Sequence, residues 1–329
     1  MMNAKKYAII DLHLHLDGSM SLECARSLAT KQGIALPDDE ELLSRLRVSD
    51  DCRDLNEYLE RFELPLSLLQ TADAISESVE RLCNELKAQG LVYAEIRFAP
   101  QLHLQKGLTQ EDVVLAAIAG LNRSSFFASL ILCCMRGADN REANIETVRL
   151  VEKYLGKGVC AVDLAGAEAL FPNENFVDVI EYARSLSLPM TLHAGEALGA
   201  DSVASAIELG ADRIGHGVRS IENPQILKSL AEKKIPLELC PTSNLNTRVF
   251  DELSEYPIRT FLNAGIVITV NTDNTSVSST SLANEYQKLA DTFSLTEDEL
   301  QALALNSAYA TFLCDLDKEK LIEKIKLKF

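Results

Sequence analysis

Tyr7-Ala8-Ile9-Ile10-Asp11-Leu12-His13-Leu14-His15-Leu16-Asp17-Gly18 is the first regular segment of the chain and reads as a β-strand closed by a turn. Side chains in a strand alternate between faces, so His13 and His15 share one face and Leu12, Leu14 and Leu16 the other. Two imidazoles side by side on a stiff element can grip one metal ion from the same direction. The chain holds only five histidines, so a His-x-His pair at a strand end is informative. Its meaning depends on what the downstream segments bring to it.

Those segments repeat one theme. Short apolar runs predict further strands over 91–100, 127–136, 159–166, 189–196, 212–217, 235–241 and 266–273, as expected for strands covered on both faces. Helical patterns predict helices over 110–122, 141–155, 175–187, 201–209, 224–233 and 256–263. Pro224 and Pro257 suit first-turn positions, and Gly156, Gly210 and Gly265 suit helix ends. Eight strands alternating with helices predict an α/β fold, a (β/α)8 TIM barrel. A doubly wound sheet would need a glycine-rich phosphate loop after an early strand, and none is present.

The spacing is uneven: roughly 70 residues separate the first two strands, about twice a normal βα unit. This stretch predicts helices over 22–31, 39–46, 54–69 and 74–88. Standing at the C-terminal end of strand one, it is expected to form a helical lid, about 17–89, over the barrel mouth. The whole of 1–329 reads as one domain. The Ser/Thr-rich run 276–281 reads as a loop and 315–329 as a charged terminal helix.

Composition narrows the function. A formal charge of −17 argues against a nucleic-acid partner, because phosphate-tracking proteins carry basic stripes. The apolar stretch 126–135 is too short to span a bilayer. Two early lysines are followed by no apolar leader core or cleavage site, so no signal peptide is expected. The eight cysteines are scattered without a Cys-x-x-Cys pair, which reads as reduced core thiols of a cytoplasmic protein and disfavours zinc–thiolate chemistry.

The other histidines carry the chemistry. His193 ends the fifth predicted strand in Thr-Leu-His-Ala-Gly-Glu (191–196), and His216 ends the sixth in Ile-Gly-His-Gly (214–217). Asp273 ends the eighth in Val-Asn-Thr-Asp-Asn (270–274), while His103 lies outside any such motif. In a barrel the C-terminal strand ends surround one pocket. His13, His15, His193 and Asp273 then form a natural ligand set for one divalent ion, most simply Zn2+, with iron, cobalt or manganese tolerated. Each residue alone has a plainer reading: a satisfied core histidine, a helix N-cap for Asp273, a surface carboxylate for Glu196. Their placement on several strand ends at one face is what favours a site.

The motifs 13–18, 193–196, 215–217 and 271–273 resemble the signature blocks of adenosine deaminases, in the metal-dependent amidohydrolase superfamily of barrels. Tyr-Ala-Glu-Ile-Arg-Phe-Ala-Pro (93–100), Asp-Leu-Ala-Gly (163–166) and Asn-Glu-Tyr (284–286) resemble supporting blocks in the same order. The resemblance implies that metal-activated water attacks C6 of adenine and that ammonia departs to leave inosine. It implies that Glu196 protonates N1, that His216 orients the water and takes or holds its proton, and that Asp273 accepts a hydrogen bond from it while ligating the metal.

It further implies a purine nucleoside as the small-molecule partner. Gly166 meets N3, Asp17 the ribose 5′ end, and Leu55, Tyr58, Leu59 and Phe62 form a hydrophobic gate; the same stripe alone would be plain core. Asn274 stands where many relatives have an aspartate that contacts N7. An amide always carries N–H donors, so it can keep that contact without a shifted pKa. The leading expectation is deamination of adenosine and 2′-deoxyadenosine in purine salvage. The alternatives are adenine, a 5′-modified adenosine, or a non-catalytic barrel that only binds. A nucleoside monophosphate is disfavoured, since Asp17 would repel its phosphate. Oligomeric state is not legible.

Overall fold

The computed structural model describes residues 7–329; the signal-peptide expectation falls in part on residues 1–6, outside that range. Eight parallel strands follow one another: β1 (Ile10–His15), β2 (Tyr93–Phe98), β3 (Ala128–Met135), β4 (Val159–Ala165), β5 (Thr191–Ala194), β6 (Arg213–His216), β7 (Leu237–Leu239) and β8 (Ile268–Val270). Ladders join β1 to β4 in order and β5 to β8 in order. Single parallel bridges join the two sets, Val162 to Met190 and Leu14 to Asp273. At the second seam, His15 N–H donates to the Asp273 carbonyl at 2.7 Å and Asp273 N–H to the His13 carbonyl at 2.8 Å. Side chains lace it as well, with Leu12 N–H donating to Asn271 Oδ1 and Thr272 Oγ1 to Asp11 Oδ2. The predicted barrel order is therefore present.

The strands are shorter than their apolar runs. After Leu239 the chain passes through Cys240 into the helix Pro241–Asn246, and Asp273 leaves the extended region altogether at φ 60°. The predicted helix over 54–69 is broken into Leu55–Leu59, a 3-10 turn at Glu60–Phe62 and Glu63–Leu68. Pro65 explains the break, since it has no N–H to give to the Arg61 carbonyl of a continuous helix. Pro257 sits one residue before the helix Ile258–Asn263, not in its first turn. Two C-terminal helices, Leu282–Phe293 and Glu297–Ala310, were outside the predicted set. Their signals are caps: Ser281 accepts from Asn284 N–H, and Thr296 forms a capping box with Glu299,.

The strands alternate in a way that hydropathy alone understated. In β2, Ala94, Ile96 and Phe98 pack into the main apolar core with the helices, while Glu95 and Arg97 are fully buried between them in sequence. In β7, Glu238 is likewise buried between Leu237 and Leu239. A buried charge persists only when paired, and these pair with one another. Arg97 reaches Glu238 at 2.8 Å and Asp163 at 2.9 Å, and Arg213 reaches Glu238 and Glu95 at 2.6 Å each. An ionic network thus links four strands beneath the histidines.

Candidate active site

His13 lies on β1 where the pairing with β2 slips between Asp11 and Leu14. Such an irregularity re-aims the side chains beside it. His13 Nδ1 meets Glu238 Oε2 at 2.8 Å, so its Nε2 is turned towards Asp273, buried and without a hydrogen-bond partner. His193, on β5, meets Asp163 through Nδ1 at 3.1 Å. Its Nε2 faces His15 Nε2 at 3.3 Å. Asp273 Oδ1 stands 3.5 Å from His13 Nε2 and 3.3 Å from His15 Nε2. Ligand atoms about 2.0–2.1 Å from one zinc ion at tetrahedral angles would stand roughly 3.3 Å apart. His15 Nε2 thus stands at that spacing from both His193 Nε2 and Asp273 Oδ1, and the nitrogens of His13, His15 and His193 lie within 4.8 Å of one another, an arrangement in which these residues could hold one divalent ion.

A second group, His13, His216 and Cys240, also has its candidate atoms within 4.8 Å of one another but is less suited. Cys240 gives its S–H to the Glu238 carbonyl, and burial pushes its thiol pKa well up, with the Asp273 charge adding to this. A neutral thiol is a poor ligand.

Space makes the cluster possible. Gly215 lies beside the rings, and a Cβ there would stand 3.1 Å from His13 Cε1 and 3.2 Å from His193 Cα. His216 and Asp273 both have left-handed backbones, at φ 58° and 60°. Non-glycine residues seldom hold that conformation, and when they do it clusters at functional sites.

Glu196 and His216 sit beside this cluster. Atoms of Glu196, His216 and Asp273 lie within 4.8 Å of one another, with Glu196 Oε1 3.7 Å from His216 Nε2. Burial raises the Glu196 pKa well above the carboxylate range, and the Asp273 and Glu168 charges reinforce it against Arg136. Burial lowers His216 well below its usual value, aided by the His13 charge. Asn244 accepts from Tyr256 through Oδ1 and turns its amide nitrogen to His216 Nδ1 at 3.1 Å. That contact places the neutral ring's proton on Nε2, facing the pocket. For Asp273 burial acts upward, but the close approach of His13 and the His13, His15 and His216 charges outweigh it and hold the carboxyl low.

A cavity of about 280 Å³ opens above these groups. Asp17, Gly166 and Asn274 line it, as do Leu55, Tyr58, Leu59 and Phe62, so every predicted substrate-contact residue reaches one pocket. Burial raises Asp17 to about 6. Tyr58, almost fully buried, pairs its hydroxyl with Ser278 at 2.7 Å. The gate residues form a separate small apolar cluster with Cys52 and Val277, distinct from the main core.

Sequence reasoning missed the groups behind the ligands: Glu238, Arg97, Arg213, Asn244 and Glu168. Asp163 and Arg97 stood in quoted blocks without a role. One signal was available, because a charge inside an apolar strand triplet such as Leu237-Glu238-Leu239 must find a partner.

The family model described as Adenosine deaminase matches residues 9–328. An adenosine deaminase of Haemophilus ducreyi is 50% identical over 334 residues, spanning 98% of this chain and 97% of the relative. One from Enterococcus faecalis is 42% identical over 321 residues, with 96% and 95% spanned. Among solved structures, an adenine deaminase from Arthrobacter aurescens aligns with TM-score 0.87 at 26% identity, covering 98% of each chain. An Arabidopsis N6-mAMP deaminase aligns with TM-score 0.88 at 27% identity, covering 99% of this chain and 100% of that one.

Proposed function

The chain belongs to the adenosine deaminase family, and from that premise we propose that it hydrolyses adenosine and 2′-deoxyadenosine to inosine and 2′-deoxyinosine with release of ammonia. The observation that carries this reading is the juxtaposition of the His13, His15, His193 and Asp273 cluster with Glu196 and His216, whose burial favours their neutral forms, at one largely apolar pocket. His13, His15, His193 and Asp273 would hold one divalent ion, and three nitrogens with one carboxylate favour zinc. When bound, the ion supplies water acidic enough to act as a nucleophile near neutral pH.

The chain's own residues do the rest. Glu196 gives its proton to N1, which lets C6 accept the water oxygen while the ring loses conjugation. Asp273 takes the water's proton, and His216 Nε2–H holds the oxygen in line. Asp273 passes the water's proton to the 6-amino group, the C6–N bond breaks with its electron pair leaving on ammonia, and the remaining hydroxyl proton on the C6 oxygen returns to Glu196, leaving the C6 carbonyl and the N1–H of inosine. Gly166 meets N3 and Asn274 donates to N7. Asp17 takes a hydrogen bond from the ribose 5′ hydroxyl and disfavours a 5′ phosphate. The helices of 17–89 act as a lid on a single domain, with Leu55, Tyr58, Leu59 and Phe62 as its gate.

We place the reaction in purine salvage and in the cytoplasm. The second assignment is supported by seven cysteines buried as free thiols. No helix among the described residues is long and apolar enough to cross a membrane.

The test is a substrate panel on the metal-loaded protein, read by the ultraviolet change of adenine-to-hypoxanthine conversion and by ammonia release. Adenosine and deoxyadenosine should turn over best. A second reading, adenine or a 6-aminopurine modified at the 5′ side, is favoured by the two structural relatives. It replaces the first if adenosine is inert while adenine or a 5′-modified adenosine reacts.

A further inference from the structure

Glu168 lies two residues beyond Gly166 and is almost completely buried, yet the mechanism above gives it no part. Its carboxylate faces five donors. Gly195 N–H donates to Oε1 at 2.7 Å, and Glu196, Ala197 and Leu198 N–H donate to Oε2 at 3.1, 2.6 and 3.0 Å. Ser202 Oγ completes the set on Oε1 at 2.5 Å. A carboxylate offers about four lone-pair sites and no proton, so this set saturates it. Gly195 is left-handed at φ 69°, and a Cβ there would strike Val203 Cγ2 at 2.5 Å. That twist turns successive N–H groups inward, making an anion-binding concavity of backbone. Here the anion is the protein's own side chain.

The turn so gathered carries Glu196 on its second residue. Between the two ends of this clamp lie the contacts to both nitrogens of the pyrimidine edge. Gly166 and Glu196 both line the nucleoside pocket, and Glu168 ties the segment of the first to the backbone of the second. We propose that Glu168 is a positioning residue, which fixes the distance between the N1 donor and the N3 contact by holding the 195–198 turn. This rests on the reading of Glu196 as the N1 acid. Gln in place of Glu168 keeps one acceptor oxygen but turns an amide N–H2 towards a row of N–H donors, so the turn must move. A displacement of about 1 Å at a reacting group can cost on the order of a hundredfold in rate.

The experiment compares wild type, Glu168→Gln and Glu168→Asp, each with metal content determined, well below its unfolding temperature. Glu168→Gln should lower kcat for adenosine roughly 10- to 100-fold with KM changed less than about threefold. Metal content should stay at the wild-type value. 1-Deazaadenosine lacks N1 and cannot feel Glu196, so its Ki should be the same in both proteins. Hydrogen exchange at the 195–198 amides should be slow in wild type and faster in the variant. Glu168→Asp keeps the carboxylate on a shorter arm and should fall between the two, and it carries the test alone if Gln prevents folding.

Unchanged kcat in a folded variant overturns the proposal, as does activity that falls only in step with metal content. A Ki for 1-deazaadenosine that weakens in parallel with kcat overturns it too, because that reports general collapse of the pocket. If wild type leaves adenosine untouched, the parent reading fails, while the exchange data still decide whether Glu168 holds the turn.

Discussion

His13 and His193 stand on strands with a buried charge behind each ring, whereas Leu55, Tyr58, Leu59 and Phe62 stand on short helices that rest on a small apolar cluster. Below the pocket, Arg97 joins Glu238 and Asp163, which in turn hold the two imidazoles. Above it, the segment 48–62 packs on that small cluster and is tied to the barrel by a few separate hydrogen bonds, while the helices on either side of it pack into the main core. Val48 N–H donates to the Val277 carbonyl, Arg248 Nε to the Cys52 carbonyl, and Tyr58 pairs with Ser278. The floor is over-determined because catalysis needs its groups fixed within fractions of an ångström. The roof has fewer such ties, which fits the proposal that substrate enters through it. If this contrast is right, floor substitutions change chemistry, metal and folding, and roof substitutions change binding alone.

The largest effect should come from Glu196→Gln. The amide cannot give a proton to N1, so kcat should drop roughly 10³- to 10⁴-fold. Metal content should be unchanged, because Glu196 is outside the proposed ligand set of His13, His15, His193 and Asp273. Loss of metal together with activity, read by elemental analysis, would instead make Glu196 part of the coordination sphere. Arg97→Met comes next. It leaves Glu238 and Asp163 buried without their shared cation, a break that costs on the order of 4 kcal/mol. Denaturant unfolding should show that loss, and a chelator titration should show metal affinity weakened roughly 10- to 100-fold. Wild-type metal affinity in a folded Arg97→Met protein would sever the proposed link between network and ligands.

The same contrast explains what could be read from sequence. The polar residues of the floor sit at or just past strand ends, and strand ends announce themselves: an apolar run gives way at His15, His193, His216 or Asp273. A barrel then converts four separate stops into one place. The charges behind them were not legible, because His13 and Glu238 are 225 residues apart and nothing local pairs them. Glu168 was hidden for another reason, since its partners are backbone N–H groups that no residue type advertises. In the roof, helical spacing was visible, but Pro65 sets a break that the apolar stripe did not weigh. The Ser281 and Thr296 caps were readable and mark helices that hydropathy alone passes over.

Between floor and roof lies His103, the one histidine without a motif. Its Nδ1 meets the Leu69 carbonyl at 2.9 Å, at the base of the gate helices. Beside it, Gln70 donates to the Leu66 and Leu102 carbonyls and accepts from Gln105 N–H. Burial lowers the His103 pKa from 6.5 to about 4, with the Leu69 bond opposing it. The folded chain therefore binds this proton less readily than the unfolded one. Its contribution is complete above pH 6.5 and is lost as pH falls towards 4, on the order of 3 kcal/mol in all. Burial raises Asp11 to about 7 and Asp17 to about 6, and these act with the opposite sign in the same range. The measurement is therefore the difference between wild-type and His103→Gln unfolding free energies across that window. A difference that does not change with pH would show that His103 is not held neutral.

Tyr58→Phe should give the smallest effect and the sharpest test of the roof. The change removes one hydroxyl from a buried pair with Ser278 and leaves the ring that covers the pocket. A net hydrogen bond contributes about 0.5–1.5 kcal/mol, so the closed lid should weaken by that amount and KM for adenosine should rise roughly 2- to 10-fold. The ligands and Glu196 are untouched, so kcat should stay within about twofold, or rise if product release is limiting. Metal affinity should not move at all. A fall in kcat of tenfold or more would place the Tyr58 hydroxyl among the groups that feel the reacting base. Asn274 would be its route, because the side chain that is proposed to donate to N7 lines the same pocket wall.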